Sequence, residues 1–470
     1  MVSEQVKGFQ NISHYSDYQP LLSSSRICER WDEQFLLSGL ADVLSFLCEE
    51  SSDANFFSMT KKLAADYFAV ATKEYFMAMA LILAHRNIQG SSPNPCVGCV
   101  YVKEGKVVGM GYTQSYGGLH AERHAYENVS SAQSLCGAEA YVSLEPCCHH
   151  YSWKSGQKIT REPCAVFLHR LGISKVNVAI LDPDQQVSGG GVQHLLDCGI
   201  AVQVGLLKQS AQRLLWRYIL HRKRVKQGTK RNITIGLKWA QSLDGRLAAP
   251  SGQSQWISSP SSLIYSQWLR YVYDGVMVGA GTFINDRPAL SLRHPFCVRK
   301  SVAKVKKIIF DPQFRTLRFD KFQDHYRHMK DNAEVYWIGR KDMSEEATKL
   351  ARMQFPSEER HCVMSIWDPD QPLQHLFEND RFLQITSKSM SLLVEGGPRL
   401  HNMLIGADVV DFLHIVTAPL WLGGKHEVCP SGPVLPHDLD HPPYYSLIHH
   451  QRFGQDLLSE YAHTHHKTFL

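Results

Sequence analysis

Apolar residues in this chain fall into two long series in which helical spacing alternates with short strand-like runs. The first series starts at about residue 72. Residues 75–86 predict a helix, and 96–102 with 107–112 predict a β-hairpin turned by Lys103-Glu104-Gly105-Lys106. A helix begins at His120 and runs to about residue 129. Strands are predicted over 138–144, 176–181 and 200–206, with a helix opening from the glycine turn 189–191. Residues 209–224 read as a closing helix, and the basic stretch to Lys230 as a linker. The second series places strands at 233–240, 275–278, 305–310, 334–338, 391–394 and 413–417, again separated by helical stretches. Such alternation implies an α/β class, mixed sheets covered by helices. The expected organisation is an extension over 1–71, a first domain over 72–208, a helix and linker over 209–231, and a second domain over 232–470. Within the extension, residues 31–50 predict an amphipathic helix (Leu36, Leu37, Leu40, Val43, Leu44, Leu47), followed by a loop over 51–55.

Composition narrows the function classes. A chain that is 44% hydrophobic and 20% charged has a globular balance, and 470 residues bury a core easily. The net charge of +5 is too small to mark a nucleic-acid surface by itself. The densest basic run, His221 to Lys226, reads as a helix end and linker. No apolar run reaches the roughly 18 residues of a membrane-spanning helix. The N-terminus lacks the apolar core of a secretory signal, so the expected setting is cytoplasmic, without membrane or nucleic-acid partners. There the 12 cysteines are expected to be reduced, which leaves metal binding, catalysis or burial as their uses.

The candidate chemistry begins at His120-Ala121-Glu122, followed by Pro146-Cys147 and then Cys164. This is the order of the zinc deaminase signature, H-x-E then P-C and a further cysteine. A hydrolytic deaminase needs a nucleophilic hydroxide at neutral pH, which zinc supplies by acidifying a bound water. Three protein ligands leave the fourth position for that water. His120, Cys147 and Cys164 are the candidate Zn2+ ligands, and Glu122 is the candidate proton shuttle. His120 and Cys147 are both expected where helices start, a position that favours a thiolate. A purely structural zinc site would not need Glu122 beside the histidine. Cys148, His149 or His150 could replace Cys164 as a ligand. The run Pro95-Cys96-Val97-Gly98-Cys99 also has the P-C-x-x-C form, but it precedes the H-x-E motif inside an apolar strand. Cys96 and Cys99 therefore read as small buried residues. The C-terminal histidines (His441, His449, His450, His463, His465, His466) are irregularly spaced and read as surface residues.

At these residues the chain resembles the bifunctional riboflavin-biosynthesis deaminase/reductase family. The match is carried by Asn94-Pro95-x-Val97-Gly98, His120-Ala121-Glu122-x-His124-Ala125, Leu144-Glu145-Pro146-Cys147-x-His149 and Pro163-Cys164. Downstream it is carried by Lys238-x-Ala240-x-Ser242-Leu243-Asp244-Gly245, Ser254-x-Trp256-Ile257, Gly279-x-Gly281-Thr282, Asp286-x-Pro288-x-Leu290 and Glu395-Gly396-Gly397. The likeness runs from about 72 to about 460. It implies a cytidine-deaminase-like three-layer domain followed by a dihydrofolate-reductase-like α/β domain, in a family that tends to form homo-oligomers. It also implies two consecutive reactions on a small-molecule substrate. The first deaminates 2,5-diamino-6-ribosylamino-4(3H)-pyrimidinone 5′-phosphate, and the second uses NADPH to reduce the ribosyl group to ribityl. One departure is the 16 residues between Cys147 and Cys164, a longer loop than the family's usual one, with the extra residues within 151–161. The other is the N-terminal extension.

Reducing a ribosyl unit requires a hydride donor that no side chain supplies. No G-x-G-x-x-G follows a strand, so the dinucleotide crevice fold is not indicated. Instead, Gly279-Ala280-Gly281-Thr282 and Glu395-Gly396-Gly397 each follow an apolar strand, where glycines let the backbone approach phosphates. The resemblance places NADPH at Ala240, Trp256, Thr282, Asp286, Gly396 and Gly397. It matches Asn94 to the deaminase substrate, and Ser254, Arg270, Leu290, Arg293 and Glu395 to the reductase substrate. Lys238 is a charge on an otherwise apolar strand and must be paired or near a ligand. It is expected to touch the ribose, with Asp286 near the reacting centre, while Asp244 shapes the Asp-Gly turn. Two other readings compete: a nucleic-acid or nucleoside deaminase with an accessory domain, and a non-catalytic zinc-stabilised scaffold. The first would need basic and aromatic residues along a channel, and the second leaves Glu122, Lys238 and Asp286 without a purpose.

Overall fold

The computed structural model describes residues 53–66, 68–129, 135–148, 151–154, 157–160, 162–184, 188–249, 251, 257–291, 305–330, 333–386, 389–423 and 444–466. The helix expected over 31–50 lies outside them.

Helix α1 (Asp53–Ala65) precedes helix α2 (Lys73–His85). Every residue of α2 from Tyr75 to His85 is buried, so it can only be an interior helix. Thr72 caps it by accepting the N–H of Tyr75. The loop expected over 51–55 is corrected here, because Asp53, Ala54 and Asn55 open α1. Asp and Asn favour turns and helix starts alike, and Phe56, Thr60, Leu63 and Ala64 then bury one face of α1 against the body.

Strands β1 (Gly98–Lys103) and β2 (Lys106–Tyr112) form the expected hairpin. They are followed by α3 (Ala121–Glu127), β3 (Glu139–Val142), and a small hairpin of β4 (Tyr151–Lys154) and β5 (Gln157–Thr160). Then come α4 (Cys164–Arg170), β6 (Lys175–Val178), α5 (Gly190–Asp197) and β7 (Ala201–Val204). The sheet order is β2-β1-β3-β6-β7. A Cβ on Gly98 would lie 1.8 Å from the Ala80 carbonyl of α2, and one on Gly111 would lie 2.1 Å from Ala125 N of α3. Gly98 pairs with Tyr112, and Gly111 with Cys99, so the two glycines face opposite ways and the two helices cover opposite faces. The result is the three-layer arrangement expected.

Helix α6 (Lys208–Gln227) then crosses to the second half, ending at Gly228 with φ 66°. The basic run 221–226 forms the end of this helix, as expected, and the helix continues to Gln227 through residues read as linker. Arg222 pairs with Asp184 and the buried Arg224 with Asp411, which offsets two of its charges.

The second half continues with β8 (Thr234–Gln241), α7 (Pro260–Val272), β9 (Gly275–Gly279), α8 (Ala280–Asp286) and β10 (Val305–Phe310). Next are α9 (Phe322–Lys330), β11 (Ala333–Arg340), α10 (Ser344–Gln354), β12 (Val363–Trp367), and the short α11 (Gln374–Phe377) and α12 (Asp380–Ile385). The chain closes with β13 (Ser391–Glu395), α13 (Pro398–Gly406), β14 (Phe412–Thr417), β15 (Tyr445–Phe453) and β16 (Asp456–His463). The sheet order is β12-β11-β10-β9-β13-β8-β14-β16-β15, parallel from β12 to β14 and antiparallel beyond. The hairpin β15–β16 was not anticipated from sequence. It buries His449, His463 and His466, which corrects their reading as surface residues. His450 and His465 are exposed, and His441 lies outside the described residues.

Candidate active sites

His120 stands at the N-cap of α3 with extended backbone (φ −72°, ψ 160°) and makes no capping hydrogen bond with its side chain. Its imidazole is thereby left to face the cysteines. Nδ1 lies 3.6 Å from Cys147 Sγ and 3.4 Å from Cys164 Sγ, and the three donor atoms are all within 4.8 Å of one another. Zn–S and Zn–N bonds of about 2.3 and 2.0 Å in a tetrahedron put ligand atoms roughly 3.5–3.8 Å apart, so the set fits zinc. Cys147 does not start a helix as expected. It lies in the extended segment after β3, and Cys164 is the residue that opens α4. The two are tied together, because the Cys147 carbonyl accepts Ala165 N at 3.1 Å and its Sγ accepts Cys164 N at 3.4 Å. A hydrogen bond from the Cys164 thiol, and then contact with His120, holds Cys147 well below the usual thiol range. Glu122 is buried in the first turn of α3, within hydrogen-bonding reach of Cys164. Burial raises its carboxyl above the ordinary range, against the pull of His120. Cys148 is not in the donor set, since its Sγ packs against Gly190. His149 and His150 lie outside the described residues. Cys96 and Cys99 are buried, as read from sequence.

The long Cys147–Cys164 loop closes on itself. Tyr151 pairs with Thr160 across the β4–β5 ladder, so the extra residues leave and return at nearly one point. Beyond the hairpin, Glu162 accepts from Arg123 at 2.8 Å and from Arg170 at 3.0 Å, which pins the approach to Cys164 between α3 and α4.

The second site lies at the carboxyl ends of the parallel strands. Open α/β sheets bind ligands there, where the strand order reverses; β13 lies between β8 and β9. Gly279 is the N-cap of α8 and Gly397 the N-cap of α13, so two helix starts sit side by side. Thr282 Oγ1 accepts Gly397 N at 3.1 Å. Gly396 has φ 130°, and a Cβ there would lie 2.7 Å from Thr282 Oγ1. Arg270 grips Glu395 with both arms of its fork, at 2.6 and 2.7 Å, and gives Nη1 to the Ser291 carbonyl at 3.2 Å. Burial would raise Glu395, but Arg270 and then Lys238 more than offset it, so its carboxyl stays ionised. Lys238 is paired in register with Glu395, and burial lowers its ammonium pKa. Ala240 is half-buried on the same strand. Leu290 is buried with φ 48°, and Asp286 ends α8 exposed.

Comparison with known proteins decides the family. The pattern of the cytidine and deoxycytidylate deaminase zinc-binding region matches residues 70–180, and that of the RibD C-terminal domain matches residues 233–459. The riboflavin biosynthesis protein RibD of Actinobacillus pleuropneumoniae is 32% identical over 403 residues, covering 85% of this chain and 98% of that one. The RibD of Escherichia coli K12 is 32% identical over 360 residues, covering 74% and 88%. The chain belongs to the RibD family. Two solved structures agree: Acinetobacter baumannii RibD (TM-score 0.63, 28% identity) and a Thermotoga maritima diaminohydroxyphosphoribosylaminopyrimidine deaminase/5-amino-6-(5-phosphoribosylamino)uracil reductase (TM-score 0.64, 27% identity). Each covers 83% of this chain and 98% of its own. The protein is thus a bifunctional deaminase and reductase of riboflavin biosynthesis, with Zn2+ and NADPH as cofactors. Among the described residues no helix is long and apolar enough to cross a membrane.

Of the residues expected in the two sites, the structure brings together His120, Glu122, Cys147 and Cys164 in one half. In the other it groups Lys238, Arg270 and Glu395, and Thr282 with Gly396 and Gly397. Ser254, Trp256 and Arg293 lie outside the described residues. Asn94 is half-buried at the end of the turns leading to β1. Asp244 shapes its turn as expected: it accepts from Ser242 Oγ at 2.6 Å and from Leu422 N and Gly423 N, which depresses its carboxyl to about 2. One supporting residue had no assigned part in the sequence. Glu145 is buried next to Pro146-Cys147 and accepts four backbone N–H groups, from Asp182, Gly189, Gly191 and Val192. Its partners are some 40 positions away, so no local spacing announces it.

Proposed function

We propose that the chain acts on 2,5-diamino-6-ribosylamino-4(3H)-pyrimidinone 5′-phosphate, releasing ammonia, and then reduces the ribosyl group of the product to ribityl with NADPH. The observation that carries this is the convergence of His120 Nδ1, Cys147 Sγ and Cys164 Sγ beside buried Glu122, on a chain that also builds the Thr282–Gly397 cradle. His120, Cys147 and Cys164 would hold Zn2+, which would supply an acidified water for attack at neutral pH. Glu122 takes a proton from the attacking water and hands it to the departing amine, so water and the aminopyrimidine give the carbonyl product and ammonia. Asn94 helps to hold the pyrimidine.

In the reductase half, Gly396, Gly397 and Thr282, where α8 and α13 begin, would hold NADPH, and the family resemblance adds Ala240, Trp256 and Asp286 to its binding residues. The family resemblance assigns Ser254, Leu290 and Arg293 to substrate binding. Arg270 keeps Glu395 ionised and fixed, which leaves the carboxylate able to accept from sugar hydroxyls. Lys238 reaches the ribose, and Asp286 lies near the carbon that receives the hydride. NADPH held there would supply a hydride for the anomeric carbon, with the ring C–O bond breaking and the ring oxygen taking up a proton. Glu122→Gln should cut ammonia release by about 100-fold or more while zinc stays bound and NADPH oxidation on the deaminated ribotide persists. Ammonia release at the wild-type rate would remove Glu122 from its role.

A further inference from the structure

The ends of two helices, one from each half, meet at the domain junction. The last carbonyls of a helix have no donor within it and need one when buried. Here each helix end receives a side-chain donor from the opposite half. Gln89, just past α2, donates Nε2 to the carbonyls of Arg270 (3.0 Å) and Tyr273 (2.9 Å) at the end of α7. Tyr271, in the last turn of α7, donates its hydroxyl to the His85 carbonyl at the end of α2 (2.7 Å). Gln89 is only 7% exposed, and among the described residues its Oε1 has no hydrogen-bond partner. A buried amide with an orphaned oxygen is a poor way to fill space, so its nitrogen has to account for it.

A buried ion pair braces the same junction. Arg217 of α6 donates Nη2 to the Ile88 carbonyl (2.7 Å) and Nη1 to Asp274 Oδ1 (2.9 Å). Asp274 Oδ2 accepts Met390 N, Ser391 N and Ser391 Oγ at 2.8–3.0 Å. Arg270 lies near the end of α7, and β13 runs from Ser391 to Glu395. Both members of the Arg270–Glu395 pair therefore hang from elements fastened to the turns 86–94. On the other side of those turns, the Gly90 carbonyl accepts Tyr116 N (2.9 Å) from the loop that leads to His120.

We propose that Gln89, a residue of the deaminase half, is a positioning residue for the reductase half. With Tyr271 and the Arg217–Asp274 pair, it fixes the end of α7 so that Arg270 holds Glu395 toward the phosphoribosyl substrate. This rests on reading Arg270 and Glu395 as substrate-binding. Losing the two N–H bonds frees the end of α7 and weakens substrate binding, while the NADPH cradle on α8 and α13 is untouched.

The test uses the full chain with NADPH and 5-amino-6-(5-phosphoribosylamino)uracil. In Gln89→Leu, KM for the ribotide rises roughly 10-fold, while kcat and KM for NADPH stay within about 2-fold. Tyr271→Phe removes a single hydroxyl and shifts the ribotide KM in the same direction, which covers the case where Gln89→Leu does not fold. Arg270→Ala separates the two readings. If it raises the ribotide KM while neither junction variant does, the positioning role fails and the site stands. If Arg270→Ala leaves that KM unchanged, the site reading fails and takes the positioning role with it. Equal rises for NADPH and ribotide mean general loosening, which also overturns the proposal.

Discussion

At the residue scale, the zinc-site side chains announce themselves because their chemistry is rare. A histidine two positions before a glutamate, followed by two cysteines, has few other uses. The glycines of the second site are less distinctive, and geometry gives them their meaning. Gly396 takes φ 130°, a conformation that side chains rarely adopt, and its missing Cβ makes room for Thr282 Oγ1. Gly396→Ala would strain that turn by about 1–3 kcal/mol and push Thr282 aside. The expected outcome is a KM for NADPH raised roughly 10-fold, with ammonia release unchanged. An unaltered NADPH KM would mean that the cofactor does not use this turn.

At the scale of elements, the longer ligand loop becomes harmless once its hairpin is seen. Tyr151 and Thr160 face each other across the ladder, so the added residues close locally and barely change the path to Cys164. Replacing residues 152–159 by two glycines should leave one zinc per chain, because loop-closure cost changes slowly with length. Metal analysis of the purified variant checks this; loss of zinc would show that the hairpin itself holds the ligands. The predicted strands of the first half appear where alternation or apolar runs placed them. The runs of β1, β3 and β6 stand out because these strands are buried along almost their whole length, whereas β7 at the sheet edge has no fully buried residue. The β15–β16 hairpin escaped because its residues alternate weakly and include several histidines, whose burial depends on partners in distant elements.

At the scale of the molecule, the core of the first half extends into the second, which also holds a core of its own. A single cluster of buried residues joins Phe76, Leu81 and Leu214 of the first half with Trp268, Tyr271, Tyr273 and Leu393 of the second. The C-terminal hairpin is drawn into the same junction. Its Glu460 accepts from Tyr265, faces His414 Nδ1 at 2.9 Å, and is mostly buried. Burial would raise this carboxyl, but His414 and Tyr265 bring it down to about 2. The folded value lies below the unfolded one, so the stabilisation is present above about pH 4.5 and is lost as pH falls toward 2. Its size is roughly 3 kcal/mol. Glu460→Gln should lower the unfolding midpoint at pH 7 and flatten the acid slope between those values. Parallel pH profiles for the two proteins would contradict this.

The sequence by itself determined the chemistry and the order of the elements. The ligand and shuttle residues are particular side chains, and the period of apolar positions sets helix or strand locally. It also offered candidates for the second site, through motifs that follow strand ends. Tertiary structure decided which residues meet. Cys164 joins His120 and Cys147 across a long loop, Arg270 meets Glu395 from 125 positions away, and Gln89 caps a helix 181 positions downstream. Such pairings depend on how the sheets and helices stack, and no local pattern encodes a partner at that distance.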